Sequence, residues 1–366
     1  MFSNVKNIRV VDYYYLMSSA IIYSDLHIYP HGFKAEKLND CLRCLEWVYK
    51  EAVKRGIPYV FFAGDLFHDR QRINIYAYDR TYEILQKYSK DITSYYILGN
   101  HDIFFRTRRS TSSVRPFSEI INVIENPCTI QIENLKIDFL PYTENPSVDI
   151  QKNFDGSSEI LIGHLALGGA ILNAFHNIKY RDSDLIENIR ETPTALLSKY
   201  KKAFLGHFHS RQQVSPTIEY IGSPLQLSYG ESGDKKGFII LDFNTLETEF
   251  IENNFTPKYH IIPINEDISK YDLKNNYVRI ISSQNSSVNE IDLKNEIQNK
   301  FHPKDLEIIH VNTEAEEIKI NEEINKIENF AQNVSKTIEQ YVNSAEIELD
   351  KQKLIDVGIK IIQQEI

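Results

Sequence analysis

The sequence predicts a layered α/β fold with mixed sheets, followed by a small α+β domain and a helical tail. Through the first 250 residues, short apolar runs alternate with stretches of helical periodicity, as in a layered α/β domain. The later strand-like segments of that region follow one another too closely for helical crossovers, so some strand pairs must be antiparallel. Near Pro257 the pattern changes to three strand candidates and one helix, and from Ile320 a charged helix carries an apolar stripe.

The strands come first. Ala20–Ser24, Tyr59–Ala63, Tyr95–Leu98, Ile160–Ile162 and Ala203–Leu205 are apolar and bounded by Gly, Asp or His, the signature of buried strands. Between the first two, Leu38, Cys41, Leu42, Leu45, Val48, Tyr49 and Ala52 fall at helical spacing and predict a helix over Lys37–Arg55. Gly56 stops it and Pro58 opens the next strand. Ile75–Tyr88 predicts a second helix. Cys128–Ile132, Leu135–Leu140, Ile218–Ile221, Gly237–Phe243 and Thr248–Glu252 read as further strands. Beyond Pro257, Tyr259–Ile264, Val278–Ser282 and Leu306–Val311 are strand candidates, with a helix near Asn289–Phe301. In the tail, apolar residues fall at 320, 324, 327, 330/331, 334, 338 and 341/342, and a shorter helix follows at about Asp350–Gln364.

Composition narrows the class. The chain has 366 residues, 42% hydrophobic and 25% charged, ordinary globular values that exclude a disordered or collagen-like chain. No apolar run reaches the roughly 18 residues of a membrane span. Three cysteines cannot build a disulfide scaffold, which points to a reducing compartment and a cytoplasmic location. Cys41-x-x-Cys44 lies mid-helix with no second pair, so a zinc or redox role is not expected. Val10–Tyr23 leans apolar, but Asp12 and three tyrosines interrupt it, and no small-residue cleavage site follows, which argues against a secretory signal. Met17 stands just before the first strand. Translation from there would make residues 1–16 an upstream extension. The net charge is −10. Residues 304–366 carry 14 acidic and seven basic side chains, so the acidity belongs mainly to the tail.

The chemistry lies where the strands end. Asp25-Leu26-His27 follows the first, Gly64-Asp65 the second and Gly99-Asn100-His101-Asp102 the third. Gly163-His164 and Gly206-His207-Phe208-His209 follow two more. Open α/β sheets place their sites at strand carboxyl ends. One such pair alone would be an ordinary turn, but five in order, each ending a predicted strand, are not. Aspartates, an asparagine and histidines form a mixed oxygen and nitrogen set that suits Mn²⁺, Fe²⁺ or Zn²⁺ and no thiolate site. The donors are too many for one catalytic ion with an open position. They suit two ions sharing one carboxylate, which activate a hydroxide and clamp a phosphoryl centre.

The order D-x-H, G-D, G-N-H-D, G-H, G-H-x-H resembles that of the calcineurin-like metallophosphoesterases. Within that superfamily the chain is similar to the SbcD group of DNA-break nucleases, on "SDLH", "AGDLFH", "LGNHD", "FLGHFH", "YIGSPLQLSYGE" (220–231) and "KKGFIILD" (235–242). Its nearest likeness is to the branch carried by T-even-like phages. The resemblance covers 17–250 strongly and the rest loosely.

It implies a four-layer α/β/β/α sandwich at 17–256, a DNA-capping domain at 257–313 and an ATPase-docking tail at 314–366. It implies two divalent ions, expected to be Mn²⁺. Asp25, His27 and His209 would hold the first, Asn100, His164 and His207 the second, and Asp65 would bridge. His101 would face the scissile phosphate, His68 would be a second catalytic histidine, and Asp102 would orient His101. The implied activity is exonuclease on duplex ends and endonuclease on single strands in break repair and recombination. The implied partners are DNA, a second copy of the chain and an SbcC-type coiled-coil ATPase, in a heterotetramer, in the host cytoplasm for a phage protein. The dimer helices would be Ile75–Tyr88 and the segment after Arg115.

Softer features surround this set. Arg106, Arg108, Arg109 and Arg115 lie in a Ser/Thr-rich segment. They either neutralise DNA phosphates or form a solvated loop or dimer contact. Lys199, Lys201 and Lys202 either add to a basic face or, the favoured reading, form a solvated helix end. The apolar stripe of the tail docks either on this chain or on the ATPase. The Asp-Arg-Gly of the superfamily's protein phosphatases is out of step here, at Asp69-Arg70-Gln71. A Leu-Gly pair usual after D-x-H is replaced by Ile28-Tyr29-Pro30-His31-Gly32, with His31 a bystander. Two rivals stand beside the nuclease. One is a phosphomonoesterase or cyclic-nucleotide phosphodiesterase on the same fold, which would need no second domain. The other is an inactive scaffold, which would be missing ligands.

Overall fold

A computed structural model describes residues 18–29, 35–105, 108–167, 170–173, 178–179, 194–283, 289–311, 351 and 353. The N-terminal extension, His31, Arg106 and the apolar stripe of the tail lie outside the described residues. The elements run β1 (Ser19–Tyr23), α1 (Ala35–Arg55), β2 (Tyr59–Phe62), α2 (Ile75–Tyr88), β3 (Thr93–Ile97), β4 (Ile103–Phe105), β5 (Arg108–Ser112), β6 (Asn122–Ile124), β7 (Cys128–Ile132) and β8 (Leu135–Leu140). Then come α3 (Pro146–Asn153), β9 (Ile160–His164), β10 (Ile171–Asn173), β11 (Ile178–Lys179), β12 (Lys202–Gly206), β13 (Gln212–Ser215) and β14 (Ile218–Tyr220). The last are β15 (Gly237–Asp242), β16 (Thr248–Glu252), β17 (Tyr259–Pro263), β18 (Tyr277–Ser283), α4 (Glu290–Phe301) and β19 (Asp305–Val311).

Contacts divide the chain into two compact units. One holds the residues up to 260 with 275–277, the other 261–274 and those from 278 onward. The first is built on two six-stranded sheets, ordered β16-β15-β1-β2-β3-β6 and β13-β14-β12-β9-β8-β7. Both are mixed. β1, β2, β3 and β6 are parallel while β15 and β16 join antiparallel, and β8, β9, β12 and β14 are parallel between antiparallel edges.

Strand periodicity explains the layering. Alternate side chains point to opposite faces. Ala20, Ile22, Phe61 and Ile239 of the first sheet meet Ile137, Phe139, Ile162 and Phe204 of the second in one cluster. Ile21, Tyr23, Val60 and Phe62 face the other way and pack under α1 and α2. Leu161, Ala203 and Leu205 do the same against Ile150 of α3 and Leu197. The result is the expected α/β/β/α sandwich. α1 buries Leu38, Cys41, Cys44, Leu45, Val48 and Ala52, so both cysteines belong to the core.

The second unit carries the three-stranded sheet β17-β18-β19 and α4. Ile262, Leu273, Val278, Ile280 and Ile297 form its core. Asn289 caps α4 by accepting from the Ile291 N–H.

Two expectations are corrected. The Ser/Thr-rich segment with the arginines is not a loop: β4 and β5 pair as an antiparallel hairpin. The segment after Arg115 is no dimer helix. It is one 3₁₀ turn at Arg115–Phe117 that buries Phe117.

Candidate metal centre

Register brings the five strand ends together. In the first sheet, β1, β2 and β3 align so that their carboxyl ends stop at one level. In the second, Gly206 of β12 pairs with His164 of β9. The two sheets are stitched at this edge, where the His164 imidazole donates from Nδ1 to the Ala63 carbonyl at 2.7 Å.

The backbone there is bent hard. Asp25, His27, Asp65 and His207 all have left-handed backbone, with φ of 51°, 45°, 65° and 99°. Non-glycine residues seldom adopt it, and such strain gathers at functional sites. Gly64 shares the bend at φ 94°. At Gly99 the constraint is space, since a Cβ would stand 2.1 Å from Asp65 Oδ1.

All seven donors expected from the sequence converge. His27 Nε2 lies 3.0 Å from His209 Nε2, and the Asp25 carboxylate completes this group. Asn100 Oδ1 lies 3.0 Å from both His164 Nε2 and His207 Nδ1. Asp65 Oδ2 stands between the groups, 3.6 Å from His27 Nε2 and 3.4 Å from His164 Nε2. The geometry is two donor sets with one carboxylate common to both.

The charges fit a cation. Burial pushes the Asp25 carboxyl up. Burial acts the same way on Asp65, but His164 and His27 outweigh it and hold that carboxyl well below its usual range. Burial would lower His164, yet the charge and hydrogen bond of Asp65, with Asp25, raise it to about 9. Burial and the neighbouring imidazoles push His27 well down and His207 to about 3. Buried carboxylates thus draw positive charge onto His164, which a divalent ion would supply, while His27 and His207 are neutral imidazoles able to ligate. Oxygen and imidazole donors without thiolate fit a first-row divalent ion.

A polar shell holds the donors. Ser24 Oγ donates to Asp25 at 2.5 Å, and the His207 N–H reaches the same carboxylate. His209 Nδ1 donates to Glu231 at 2.9 Å, which fixes Nε2 toward the cluster. Burial alone would raise Glu231. The buried Lys236 ammonium and His209 outweigh it and hold it at about 2. Glu231 and Lys236 were not expected as site residues. Both lie within the motifs that carry the resemblance, and that was the available signal.

His101 and His68 stand beside the first group. The His101 ring is 4.8 Å from that of His27, and His68 stacks on His101 at 5.8 Å between centroids. The His101 N–H donates to Asp65 Oδ1, and its Nδ1 donates to the His68 carbonyl at 2.6 Å, which fixes the ring. Asp102 does not orient His101. Its buried carboxylate accepts the N–H groups of Asp65, Leu66 and Gly99 at 2.8–2.9 Å and so shapes the strand ends themselves. Burial and Asp65 push it up to about 7, against those three bonds.

Two of the arginines expected at DNA are engaged within the chain. Arg109 donates to the Tyr142 carbonyl and pairs with Asp149, and Arg115 makes a two-pronged pair with Glu125. Both are committed to carboxylates within the chain. Arg108 is exposed and lies over the Phe105 ring. Asp69 caps a turn through the N–H groups of Gln71 and Arg72. No helix among the described residues is long and apolar enough to cross a membrane.

Comparison with known proteins gives a family and several similar chains. The family model of the calcineurin-like phosphoesterases matches residues 19–225. Exonuclease subunit 1 of Enterobacteria phage T4 is 26% identical over 326 residues, 84% of this chain and 91% of the relative. Among solved structures, a dimetal phosphatase from Danio rerio is 11% identical with a TM-score of 0.38, covering 63% of this chain and 93% of that one. An archaeal phosphodiesterase is 12% identical with a TM-score of 0.34, covering 64% of this chain and 99% of that one.

Proposed function

The chain belongs to the calcineurin-like phosphoesterase family, and from that premise we propose that it is a two-metal DNA nuclease subunit. The observation that carries this is the pair of donor sets sharing Asp65, flanked by His101 and His68, in a chain similar to an exonuclease subunit along most of its length. Asp25, His27 and His209 would hold one ion and Asn100, His164 and His207 the other, with Asp65 common to both. Mn²⁺ suits the mixed donors. When bound, the ions would polarise the phosphoryl oxygens and make water a stronger nucleophile.

The chain's own groups do the rest. The His101 ring is held through Nδ1 by the His68 carbonyl, and its Nε2 would give a leaving oxygen its proton. His68 stacks behind it and fixes that plane. Asp102 keeps Gly99, Asp65 and Leu66 in place. In this reading the substrate is duplex ends and single strands in recombination or break repair. The residues from 257 cap the DNA, the tail takes an SbcC-type ATPase, and two copies of each assemble in the cytoplasm. The relative's being a subunit supports the need for a partner.

End-labelled duplex DNA incubated with Mn²⁺, with Mg²⁺ and with EDTA tests this, with bis-p-nitrophenyl phosphate as a small ester. Mn²⁺ should support cleavage, and His101→Ala should abolish it while metal content is kept. Small-ester turnover with DNA untouched, even after adding the cognate ATPase, would leave a phosphoesterase of other substrate.

A further inference from the structure

The hairpin of β4 and β5 leaves the metal centre directly after Asp102, and its outer end is aromatic. Phe104 and Phe105 are 45% and 40% exposed, with rings edge to face at 4.7 Å. Arg108, opposite Phe105 in the ladder, places its guanidinium 4.3 Å from that ring's centroid. Two neighbouring phenyl rings in water are unfavourable unless something covers them.

The base of the hairpin is anchored. Its root is buried at Ile103 and Val114, and the Ser113 N–H donates to the Asp102 carbonyl at 2.8 Å. Its side is tied by Arg109, which donates from Nε to the Tyr142 carbonyl at 2.9 Å and pairs with Asp149 at 3.1 Å. The Tyr142 ring in turn lies 6.3 Å from His164 and 6.4 Å from His207. Through Arg109 and Tyr142 the hairpin is therefore anchored beside the donor set of Asn100, His164 and His207.

The geometry points to Phe104, Phe105 and Arg108 as a stacking platform for unpaired bases of a single strand whose phosphodiester lies at the metal centre. This rests on the nuclease reading above and adds a discriminating element to it. Every base offers a π face, and a base on an aromatic side chain contributes about 1–3 kcal/mol whatever its sequence. A guanidinium beside the rings adds attraction to bases and balances a phosphate. Bases inside a duplex are already stacked on one another, so the platform selects single strands or opened ends. A protein partner would also cover two phenyl rings. The exposed cation, on a hairpin rooted at the donor cluster, favours a polyanion that carries aromatic bases.

The test uses the full-length protein and a Phe104→Ala/Phe105→Ala double variant. Both substitutions are on exposed side chains, and circular dichroism checks the fold. Binding of oligo(dT) carrying one 2-aminopurine is measured in EDTA, beside an abasic oligomer of equal length. The double variant should bind oligo(dT) about 10–100-fold more weakly, as expected for one or two lost stacks. It should lose the fluorescence change and keep the wild-type rate on bis-p-nitrophenyl phosphate with Mn²⁺. Phe104→Tyr/Phe105→Tyr should restore binding, and the wild type should prefer oligo(dT) to the abasic strand.

Equal binding of oligo(dT) by wild type and double variant overturns the platform, as does equal binding of abasic and base-bearing strands by the wild type. A change of oligomeric state with oligo(dT) binding intact assigns the rings to a protein contact and also overturns it. If the wild type turns over the small ester but neither binds nor cuts DNA with its ATPase present, the nuclease reading has failed and the platform falls with it.

Discussion

The two halves of the donor cluster are built by different means. The half with Asn100, His164 and His207 is anchored to backbone at His164. His164 is the last residue of a fully buried strand and donates to a carbonyl of the opposite sheet. The half with Asp25, His27 and His209 relies at its outer edge on charge. His209 is partly exposed, and its ring is turned by Glu231, which leans on Lys236. Lys236 also reaches Asp234 at 3.2 Å and the His209 carbonyl at 2.8 Å. A backbone carbonyl cannot be mutated away, and a carboxylate can. The two halves should therefore respond differently to single substitutions.

The largest effect comes from the group they share. Asp65→Asn removes the common negative charge, and Gly99→Ala drives a Cβ into that same carboxylate. Either change should remove both ions together. Metal stoichiometry by mass spectrometry should fall from two to near zero, and phosphodiesterase activity should drop by more than the roughly 10–100-fold typical of changes one shell out. Loss of a single ion in Asp65→Asn would mean the halves do not share it.

Next comes the charged support. Glu231→Gln keeps an acceptor for His209 Nδ1 but loses the charge that strengthens it. Affinity for one ion should fall about 10–100-fold while the other is unchanged, read by calorimetric titration of metal-free protein with Mn²⁺. Lys236→Met should act through stability instead. It leaves buried Glu231 and partly buried Asp234 with their shared cation gone, an imbalance worth about 3–5 kcal/mol in urea unfolding. Equal weakening of both ions in Glu231→Gln would erase the contrast between the halves.

The same contrast marks what was legible in the sequence. The seven donors could be read because each follows an apolar run that ends in Gly, His or Asp, and strand ends are set locally. The four layers could be read from strand and helix periodicity. What was hidden is what depends on contacts far along the chain. Glu231 lies 22 residues from His209, and nothing local pairs them. Arg109 meets Asp149 across 40 residues, so a sequence reading leaves its charge apparently free. Asp102 binds backbone N–H groups, which carry no residue signature. The β4–β5 hairpin lacks period-two alternation, and its Ser, Thr and Arg content reads as a loop.

The smallest effect offers the finest probe of the charged half, because two thiols lie beneath it. Cys41 Sγ is 3.9 Å from the His27 carbonyl, and Cys44 Sγ is 3.7 Å from the Pro224 carbonyl, at the start of the segment that carries Glu231. Burial pushes the Cys41 thiol up to about 12 and Cys44 upward as well. A thiol whose folded pKa is raised stabilises the fold below its unfolded value of about 8.5, and that contribution is lost as pH climbs toward the folded value. Stability should therefore decline from about pH 8.5 upward. At neutral pH, iodoacetamide should label Cys41 and Cys44 only when the segment opens, because the thiolate is the nucleophile and neither sulfur is exposed. Peptide mass spectrometry over time should show slow labelling in the wild type and faster labelling in Glu231→Gln. Asn100→Ala, in the backbone-held half, should label at the wild-type rate. Equal acceleration by both variants would mean that the two halves open as one unit and that Glu231 supports more than its own histidine.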